Sequence, residues 1–477
     1  MSVLAIDQGT SSTRALRVDD GMSRVTHSVK HQQFYPASGW VEHDPEELIR
    51  SITACIDTNP GVQAIGIDNQ GESCLAWNAD TRQPVSPVIV WQDNRTASDV
   101  ERLKQDGASQ LVMDKAGLPL DSYFSATKLA WILEHVAEAK DLQRRGRLRL
   151  GTTDAFFLDR LSDRFVTDIT TASRTSLLNM ETGQWDDDLC RLFNVPIESL
   201  PEIVPSTGEL GFIKSGKKSI PVTASIVDQQ ASLYGHGCRD MGDAKITFGT
   251  GAFALVVTGN TSFRSPEKGL LPTIAWQHTG HAPVYALDGG VYCAGSAIDW
   301  ARSLGLFDHF ESINQFGNTS AIERDLVFVP ALSGLACPHW DRRAGGLWIG
   351  LSLDTSPRDM VQAVLEGVAL RASEVIRAMG QFIPIADEIS IDGGVSINPY
   401  FCQFLANILK RRVIVQKGQE LTAIGTAQLA GAELNLSTDV QSMLVFEPNA
   451  NMSGVFERFD QAIQRSLAWH PVSRHQE

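Results

Sequence analysis

Cysteines are few in this sequence, and they are scattered. Seven occur in 477 residues, with no C-x-x-C pair and no tight grouping with histidine. Disulfide-built domains and structural zinc sites need paired or clustered thiols, so neither is predicted. The chain also lacks the charged and apolar pattern of an export signal, because residues 3–6 already read as an apolar strand. A reducing cytoplasm is therefore the expected compartment.

Positive charge is scarce as well. The 41 lysines and arginines face 56 aspartates and glutamates, which gives a formal net charge of −15. A surface of this sign repels the phosphates of nucleic acids and of anionic lipids, so neither is expected as a partner. No run of about 18 apolar residues is present, so no membrane-spanning helix is predicted. A small-molecule partner fits best, and assembly into a homo-oligomer stays open.

The length predicts more than one domain. A chain of 477 residues with 43% apolar residues exceeds the usual size of a single core. A glycine-punctuated connector at residues 236–244 marks the expected boundary. We expect an N-terminal domain over residues 1–240, a C-terminal domain over 241–436, and a helical tail over 437–477.

The strongest local signal is the N-terminal hairpin. The apolar run Val3–Ile6 leads into DQGTSSTR at residues 7–14 and then into a second apolar stretch. Glycine lets the backbone approach an anion, hydroxyls and amides can surround phosphate oxygens, and Asp7 can hold a magnesium ion through water. The pattern favours a phosphate-binding hairpin, and an ordinary polar hairpin is the alternative.

Two further glycine turns repeat this plan in the second half. Residues 244–259 (AKITFGTGAFALVVTG) predict a strand, a turn and a second strand, whereas a dinucleotide fingerprint has to open a helix. Residues 388–398 predict a strand that ends in Asp-Gly-Gly, with Asn398 as a possible amide donor. The Walker-like spacing at residues 211–217 lacks the Ser or Thr that binds magnesium and has no strand before it, so it predicts a surface loop.

The remaining pattern predicts alternating strands and helices. Asp44 and Pro45 mark a helix start, and residues 206–219 read as a polar surface excursion. The predicted strands cover residues 62–68, 74–77, 221–227, 285–288 and 387–391. The predicted helices cover residues 94–106, 127–137, 229 onward, 296–304, 358–378, 399–410 and 422–434.

One carboxylate stands out as a candidate base. The apolar residues 221–227 deliver Asp228 at the predicted domain boundary, where a cleft would meet substrate. If the substrate is an alcohol and a nucleotide is the donor, a carboxylate has to accept the hydroxyl proton. A helix N-cap is the alternative role for Asp228, and the two roles do not exclude each other. Residues 69–72, 90–95 and 121–124 supply amides, carboxylates and aromatic rings that suit a polyol.

Two long segments carry a resemblance to a known family. They are YFSATKLAWILEH at residues 123–135 and GLWIGLSLDTSPRDMVQAVLE at residues 346–366. With them, the chain resembles the FGGY family of carbohydrate kinases over about residues 3–435, and within it the glycerol kinases. Residues 6–10, 39–45, 170–175 and 248–251 add to the similarity to glycerol kinases.

The resemblance implies an α/β fold with two ribonuclease-H-like domains of the actin-like ATPase type, which close on ATP, Mg²⁺ and substrate. It places these residues on the nucleotide: Thr10, Ser11, Ser12, Arg14, Thr250, Gly295, Gly394 and Asn398. It places these on the alcohol, with Asp228 as the base: Glu72, Trp91, Tyr123, Asp228, Gln229 and Phe253. Phosphorylation of a terminal hydroxyl of a small polyol, first of all glycerol to glycerol 3-phosphate, is the implied reaction.

The sequence departs from the glycerol kinase pattern at Gly71. An arginine that bonds the substrate hydroxyls usually stands there, and losing a hydrogen bond to a charged group costs about 1.5–3 kcal/mol. The glycine also predicts room for a four- or five-carbon polyol or ketose, which is the alternative substrate class. At Asp299 a carboxylate replaces a glutamine that often contacts nucleotide. A nucleotide-dependent binding protein on the same actin-like plan is the third reading, although it would not need Asp228, Glu72 and Tyr123.

Overall fold

The computed structural model describes residues 2–264, 269–317, 319–416, 420–432 and 443–470. Within these ranges no helix is long and apolar enough to cross a membrane. The architecture consists of two mixed α/β halves, each built on one large sheet. The halves meet along a cleft, and residues 236–243 connect them without a helix or strand.

The strands of the first half are β1 (Ser2–Gln8), β2 (Ser12–Asp19), β3 (Met22–Lys30), β4 (Glu42–His43), β5 (Ala64–Asn69), β6 (Cys74–Asn78), β7 (Val88–Ile89), β8 (Leu148–Thr152), β9 (Val166–Asp168), β10 (Leu178–Asn179), β11 (Gln184–Trp185), β12 (Glu202–Val204), β13 (Phe212–Ser215) and β14 (Lys218–Val227). Its helices are α1 (Pro45–Asp57), α2 (Ala97–Gln105), α3 (Ser109–Ala116), α4 (Ser125–His135), α5 (Ala137–Arg144), α6 (Thr153–Ser162), α7 (Ile169–Ala172), α8 (Asp187–Leu192) and α9 (Asp228–Gly235).

The strands of the second half are β15 (Ala244–Phe248), β16 (Ala252–Gly259), β17 (Leu271–Trp276), β18 (Val284–Val291), β19 (Val327–Val329), β20 (Leu347–Ile349), β21 (Glu388–Asp392), β22 (Arg412–Gln416) and β23 (Met443–Phe446). Its helices are α10 (Gly295–Ser303), α11 (Pro357–Met379), α12 (Pro399–Leu409), α13 (Leu421–Ala430) and α14 (Val455–Ser466).

The two large sheets share one strand order. In the first, β3, β2 and β1 are antiparallel neighbours, and β5 and β14 follow parallel to β1. In the second, β18, β16 and β15 repeat the antiparallel part, and β21 and β22 repeat the parallel part. The prediction that two halves follow one plan is confirmed. Both glycine hairpins, β1–β2 and β15–β16, therefore occupy equivalent places in their sheets.

Local capping explains where the helices begin. The side chain of Asp44 accepts the N–H of Glu46 at 2.9 Å, and Pro45 follows at the first helical position of α1. Ser356 caps α11 with a reciprocal bond to Asp359. Helix α11 is buried over nearly all its length beneath the second sheet, in a core that also takes side chains from α10, α12 and α14. The predicted starts at Asp44 and near Arg358 are thus confirmed.

Two predictions of local structure are wrong in part. The Walker-like residues 211–217 contain strand β13 and the turn at Gly216 of the β13–β14 hairpin, and strand β14 follows them instead of a helix. The tail contains strand β23, paired with β22, before helix α14. Its predicted helical character at residues 437–442 and 471–477, and the predicted end of α13 at residues 433–434, lie outside the described residues.

Candidate functional site

The N-terminal hairpin brings two carboxyl groups together. Asp7 on β1 lies beside Asp68 on the parallel strand β5, and the Gly9 N–H donates to the Ser12 carbonyl at 3.1 Å to close the turn. Burial raises the pKa of both carboxyls, and the neighbouring Asp7 adds to the rise at Asp68. Thr426 of α13 donates to Asp68 Oδ2 at 2.6 Å. This arrangement favours one shared proton, which leaves Asp7 able to act as an anion.

A small cavity of about 80 Å³ opens in the cleft between the two halves. It is far below the ~300–1,000 Å³ of pockets for drug-sized ligands, so it suits a molecule of a few heavy atoms. Its lining includes all six residues predicted to bind the alcohol: Glu72, Trp91, Tyr123, Asp228, Gln229 and Phe253. Thr10 of the N-terminal hairpin reaches the same cavity. Side chains that are distant in sequence thus converge on one pocket.

The aromatic wall of this cavity is held by hydrogen bonds. Trp91 Nε1 donates to Thr10 Oγ1 at 3.0 Å, and the Trp91 N–H donates to Ser73 Oγ at 3.1 Å. The Trp91 and Tyr123 rings meet edge to face with centroids 5.8 Å apart. Such rings offer an apolar face to a carbon chain, while their polar ends hold a defined position.

Asp228 is the first residue of α9, directly after the buried strand β14. The residue that caps α9 is Val227, so Asp228 is not the N-cap, although its Oδ1 accepts the Gln229 N–H at 2.6 Å. Burial, followed by the charges of Glu72 and Asp7, raises the pKa of Asp228 to about 7. A carboxylate with this pKa can take a proton near neutral pH.

Three charged residues of this site received no role from the sequence. Arg174 and Asp288 line the small cavity, and Lys245 lies next to it. Arg174 Nε donates to Glu72 Oε1 at 2.6 Å, while Lys245 Nζ donates to Gln229 Oε1 at 2.7 Å. For two of these residues the sequence offers a signal that could have indicated a role, namely a charged residue inside an apolar strand. Lys245 stands in AKITF, and Asp288 stands in VYALDGGV.

The room expected beside Gly71 is not there. A Cβ built on Gly71 would lie 3.0 Å from Cγ1 of Val227, which is closer than ordinary van der Waals contact. The side chain of Val227 therefore packs where a side chain at position 71 would begin. Val227 thus packs against the wall at Gly71, and the cavity of about 80 Å³ is not enlarged at this point.

A second, larger cavity of about 410 Å³ lies in the C-terminal half. Four residues predicted to contact nucleotide line it: Thr250, Gly295, Gly394 and Asn398. Asp299 is part of the same wall. Gly295 is required for close approach, because a Cβ there would lie 2.6 Å from the Gly249 carbonyl oxygen. The volume falls in the range that suits a nucleoside-sized ligand.

Two of the predicted nucleotide contacts, Asn398 and Arg14, already have partners within the protein. Asn398 caps α12 by accepting the Phe401 N–H at 2.9 Å, and its Nδ2 donates to the Ile313 carbonyl at 2.9 Å. Arg14 Nη1 lies 2.6 Å from Glu420 Oε2, in a pair that is about 40% exposed. Ser11 and Ser12 belong to the hairpin turn and strand, outside the lining of both cavities.

Magnesium fits this site as an ion shared with a ligand. Among the described residues, no group of three or more His, Cys, Asp or Glu side chains could hold a metal. Mg²⁺ is commonly bound by one or two carboxylates, several waters and substrate phosphates, so a complete protein cage is not needed. The half-buried carboxyl of Asp7 beside the hairpin meets that requirement.

Comparison with known protein families agrees with this geometry. The N-terminal and C-terminal domain models of the FGGY family of carbohydrate kinases match residues 2–235 and 244–434. The chain belongs to the FGGY family of carbohydrate kinases. A glycerol kinase from Haloferax volcanii is 37% identical over 502 residues, covering 98% of each chain. A glycerol kinase from Rhodopirellula baltica is 38% identical over 493 residues, covering 98% of this chain and 91% of the relative.

Solved structures of FGGY kinases share the fold. Plasmodium falciparum glycerol kinase with ADP superimposes with a TM-score of 0.92 at 30% identity, and 98% of each chain is covered. Gluconate kinase from Lactobacillus acidophilus has a TM-score of 0.86 at 23% identity, over 97% of each chain, which bears on the fold alone. The predicted two-domain, actin-like α/β fold is confirmed.

Proposed function

We propose that this FGGY kinase transfers the γ-phosphoryl group of ATP, with Mg²⁺, to a terminal hydroxyl of glycerol and forms glycerol 3-phosphate. The observation that carries the proposal is the full-length similarity to proteins named glycerol kinase, at 35–38% identity over 98% of this chain. The size and polarity of the small cavity support it, because a three-carbon polyol presents three hydroxyls on a short chain.

Asp228 acts as the general base in this proposal. Its carboxylate accepts the proton of the attacking hydroxyl while that oxygen bonds to phosphorus. The raised pKa of about 7 supports the role, because proton transfer is most efficient when the base titrates near the working pH. Glu72 accepts from a second hydroxyl, and Trp91, Tyr123 and Phe253 cover the carbon chain.

The phosphates lie between the two glycine hairpins. Thr10, Ser11 and Ser12 approach them from the N-terminal half, and Thr250 approaches from the C-terminal half. Gly295, Gly394 and Asn398 line the part of the larger cavity that receives the nucleoside. Arg14 contributes by exchanging Glu420 for a phosphate oxygen, which an exposed ion pair permits at little cost.

Mg²⁺ supplies charge neutralisation for the phosphates when it is bound. Asp7 would hold it through a water molecule, next to Asp68. Since phosphoryl transfer needs positioning and electrostatic stabilisation more than covalent help, the chain contributes mainly the alignment of hydroxyl, base and phosphate.

A longer polyol or ketose is the second candidate, and the site does not favour it. Val227 closes the wall at Gly71, and the cavity of about 80 Å³ leaves no evident place for additional carbons. A binding protein without transfer activity is also disfavoured, because Asp228, Glu72 and Tyr123 converge on one pocket.

The test measures ADP release with Mg²⁺-ATP across glycerol, dihydroxyacetone, tetritols, pentitols and pentuloses. The proposal expects the highest kcat/KM on glycerol and a loss of about 10²–10⁴-fold in kcat for Asp228→Asn. Asp44→Asn is the matched control, since it alters a helix-capping aspartate outside both cavities. Preference for a longer substrate overturns glycerol as the substrate, and undiminished turnover by Asp228→Asn overturns the base.

A further inference from the structure

Arg174 is the cation of the small cavity. It is the one positively charged residue among the described residues that line this pocket, facing the three carboxyl groups of Glu72, Asp228 and Asp288. Its side chain is only 4% exposed. A buried guanidinium in the wall of a cavity needs partners for its five N–H groups, and those partners can be counted.

The protein satisfies only part of this guanidinium. Nε donates to Glu72 Oε1 at 2.6 Å, and Nη2 lies 3.3 Å from Asp288 Oδ2. Nη1 is buried without a hydrogen-bond partner. A buried donor without a partner lowers the stability of a protein by about 1–3 kcal/mol, and by more when the donor is charged. A ligand that accepts a hydrogen bond from Nη1 would remove this destabilisation.

Glu72 and Asp288 also fix where the guanidinium can point. They hold it from the first and the second half of the chain at once, and the Tyr123 ring centroid lies 5.9 Å from its central carbon. Both carboxylates raise the pKa of Arg174 against the effect of burial, so it stays charged. The side chain is thus a fixed donor and not a mobile counterion.

A polyol needs such a donor in this pocket. Each hydroxyl group donates one proton and accepts through two lone pairs, whereas ionised Glu72, Asp228 and Asp288 can only accept. Gly71 provides no side chain, and the indole N–H of Trp91 is already donated to Thr10. Donors to the substrate oxygens therefore come from few groups, of which Arg174 is the charged one.

We propose that Arg174 donates a hydrogen bond to a hydroxyl of the substrate that is not phosphorylated, and so determines the preference for a polyhydroxylated substrate. This inference rests on the proposed polyol kinase activity and names the residue that hydrogen-bonds the hydroxyl that is not phosphorylated. Arg174 takes the part that an arginine at position 71 would otherwise play.

The test pairs changes in the protein with changes in the substrate. We would measure kcat/KM for glycerol, propane-1,2-diol and propane-1,3-diol with the wild type, Arg174→Met and Arg174→Lys. The diols lack either the third or the second hydroxyl of glycerol. The wild type is expected to prefer glycerol over at least one diol by about ten- to a hundred-fold. In Arg174→Met, kcat/KM for glycerol should exceed kcat/KM for that diol by no more than about threefold. The ratio of kcat/KM between glycerol and the other diol should stay unchanged.

A purely structural role predicts a different pattern. If Arg174 only neutralised Glu72 and Asp288, its loss would lower kcat/KM for all three substrates by a similar factor, and this outcome overturns the inference. A wild type that discriminates against neither diol overturns it as well. Arg174→Lys keeps the positive charge but not the planar guanidinium group with its fixed donors. This variant should therefore stay folded and still lose the preference for glycerol over that diol. Full retention of the preference in Arg174→Lys and in Arg174→Met contradicts the assignment.

Arg371→Met is the matched control. Arg371 is a fully buried arginine paired with Glu374, outside the lining of both cavities. Its replacement should lower stability and leave the substrate ratios unchanged. Absence of any phosphorylation by the folded wild type would instead refute the proposed function, which separates that failure from a failure of the Arg174 assignment.

Discussion

Asp228 shows how one residue obtains a useful acidity from its surroundings. The strand β14 delivers the carboxyl into a buried position, and Glu72 and Asp7 add negative potential. Each effect disfavours the charged form, while the Gln229 N–H and Lys245 favour it. The balance raises the pKa of Asp228 to about 7 and leaves a carboxyl group that titrates in the physiological range.

This value predicts an acid limb in the pH–rate profile. Because the base has to be deprotonated, kcat/KM for glycerol should fall about tenfold per pH unit as the pH drops below a midpoint near 7. Initial rates between pH 5 and 9 at fixed Mg²⁺-ATP test this. Enzyme returned from each pH to neutral buffer should recover full activity. A midpoint near 4, the ordinary value for aspartate, would contradict the argument.

Lys245 should control where that limb lies. It is fully buried, bonds Gln229 Oε1 and Thr247 Oγ1, and lowers the pKa of Asp228 by its charge. Lys245→Met should therefore move the acid limb to higher pH and reduce kcat/KM at neutral pH. The measurement is the same pH–rate profile.

Lys115→Met serves as the comparison for Lys245→Met. Lys115 is a paired lysine of α3 that contacts Asp186 and Asp188, outside the lining of both cavities. Its removal should lower stability slightly and leave the limb in place. A limb that does not move in Lys245→Met would show that this lysine does not act on the base.

At the scale of elements, the contact between two helices positions Asp228. Helix α9, which begins with Asp228, packs against α13 through two glycines. A Cβ on Gly425 would lie 1.9 Å from the Ala231 carbonyl oxygen, and one on Gly235 would lie 1.9 Å from the Leu421 carbonyl oxygen. The two backbones are in direct contact, which only glycine permits.

Gly425→Ala should therefore destabilise the protein. Helix propensity alone would make this change stabilising by about 1 kcal/mol, but the clash with backbone atoms should cost about 1–3 kcal/mol or more. Thermal unfolding measures the difference, and catalytic efficiency should fall with it because α9 is displaced. Gly317→Ala is the control, since nothing lies within 4 Å of a Cβ at that exposed position. An unfolding midpoint for Gly425→Ala at or above the wild-type value would contradict the packing argument.

Elements with a strong local pattern were predictable. Both glycine hairpins, the capped start of α1 and the buried helix α11 follow from period, turn and cap residues. Strands β13 and β23 could not be predicted in this way. Strand β13 (FIKS) is short and mostly not buried, and strand β23 (MLVF) is exposed although all its residues are apolar, so neither shows the alternation of a half-buried strand. Their structure comes from pairing with β14 and β22, which is a contact between distant segments.

At the scale of the whole molecule, the cleft unites two copies of one sheet plan. The small cavity takes Glu72 and Tyr123 from the first half and Phe253 and Asp288 from the second. Lys245 of the second half also donates a hydrogen bond to Gln229 of the first half. Ligands that fill the cleft contact both halves, so closure would exclude water and favour transfer to the alcohol over hydrolysis.

Binding should accordingly stabilise the two halves together. For Asp228→Asn, which is expected to bind without efficient turnover, glycerol and Mg²⁺-ATP should each raise the unfolding temperature. A ligand at 100 times its Kd contributes about 2.7 kcal/mol. Sorbitol at equal concentration controls for general polyol effects on stability. No shift with glycerol beyond that of sorbitol would argue against a specific polyol site.

The sequence by itself determined the class of protein, the two glycine hairpins and half of the residues that line the small cavity. These features depend on short segments in which glycine, hydroxyl and carboxylate positions are read along the chain. Only the tertiary structure decided that Val227 closes the wall at Gly71, that Glu420 engages Arg14, and that Arg174 and Lys245 belong to the site. These contacts join residues far apart in sequence, and their energies depend on burial and distance, which no local pattern records.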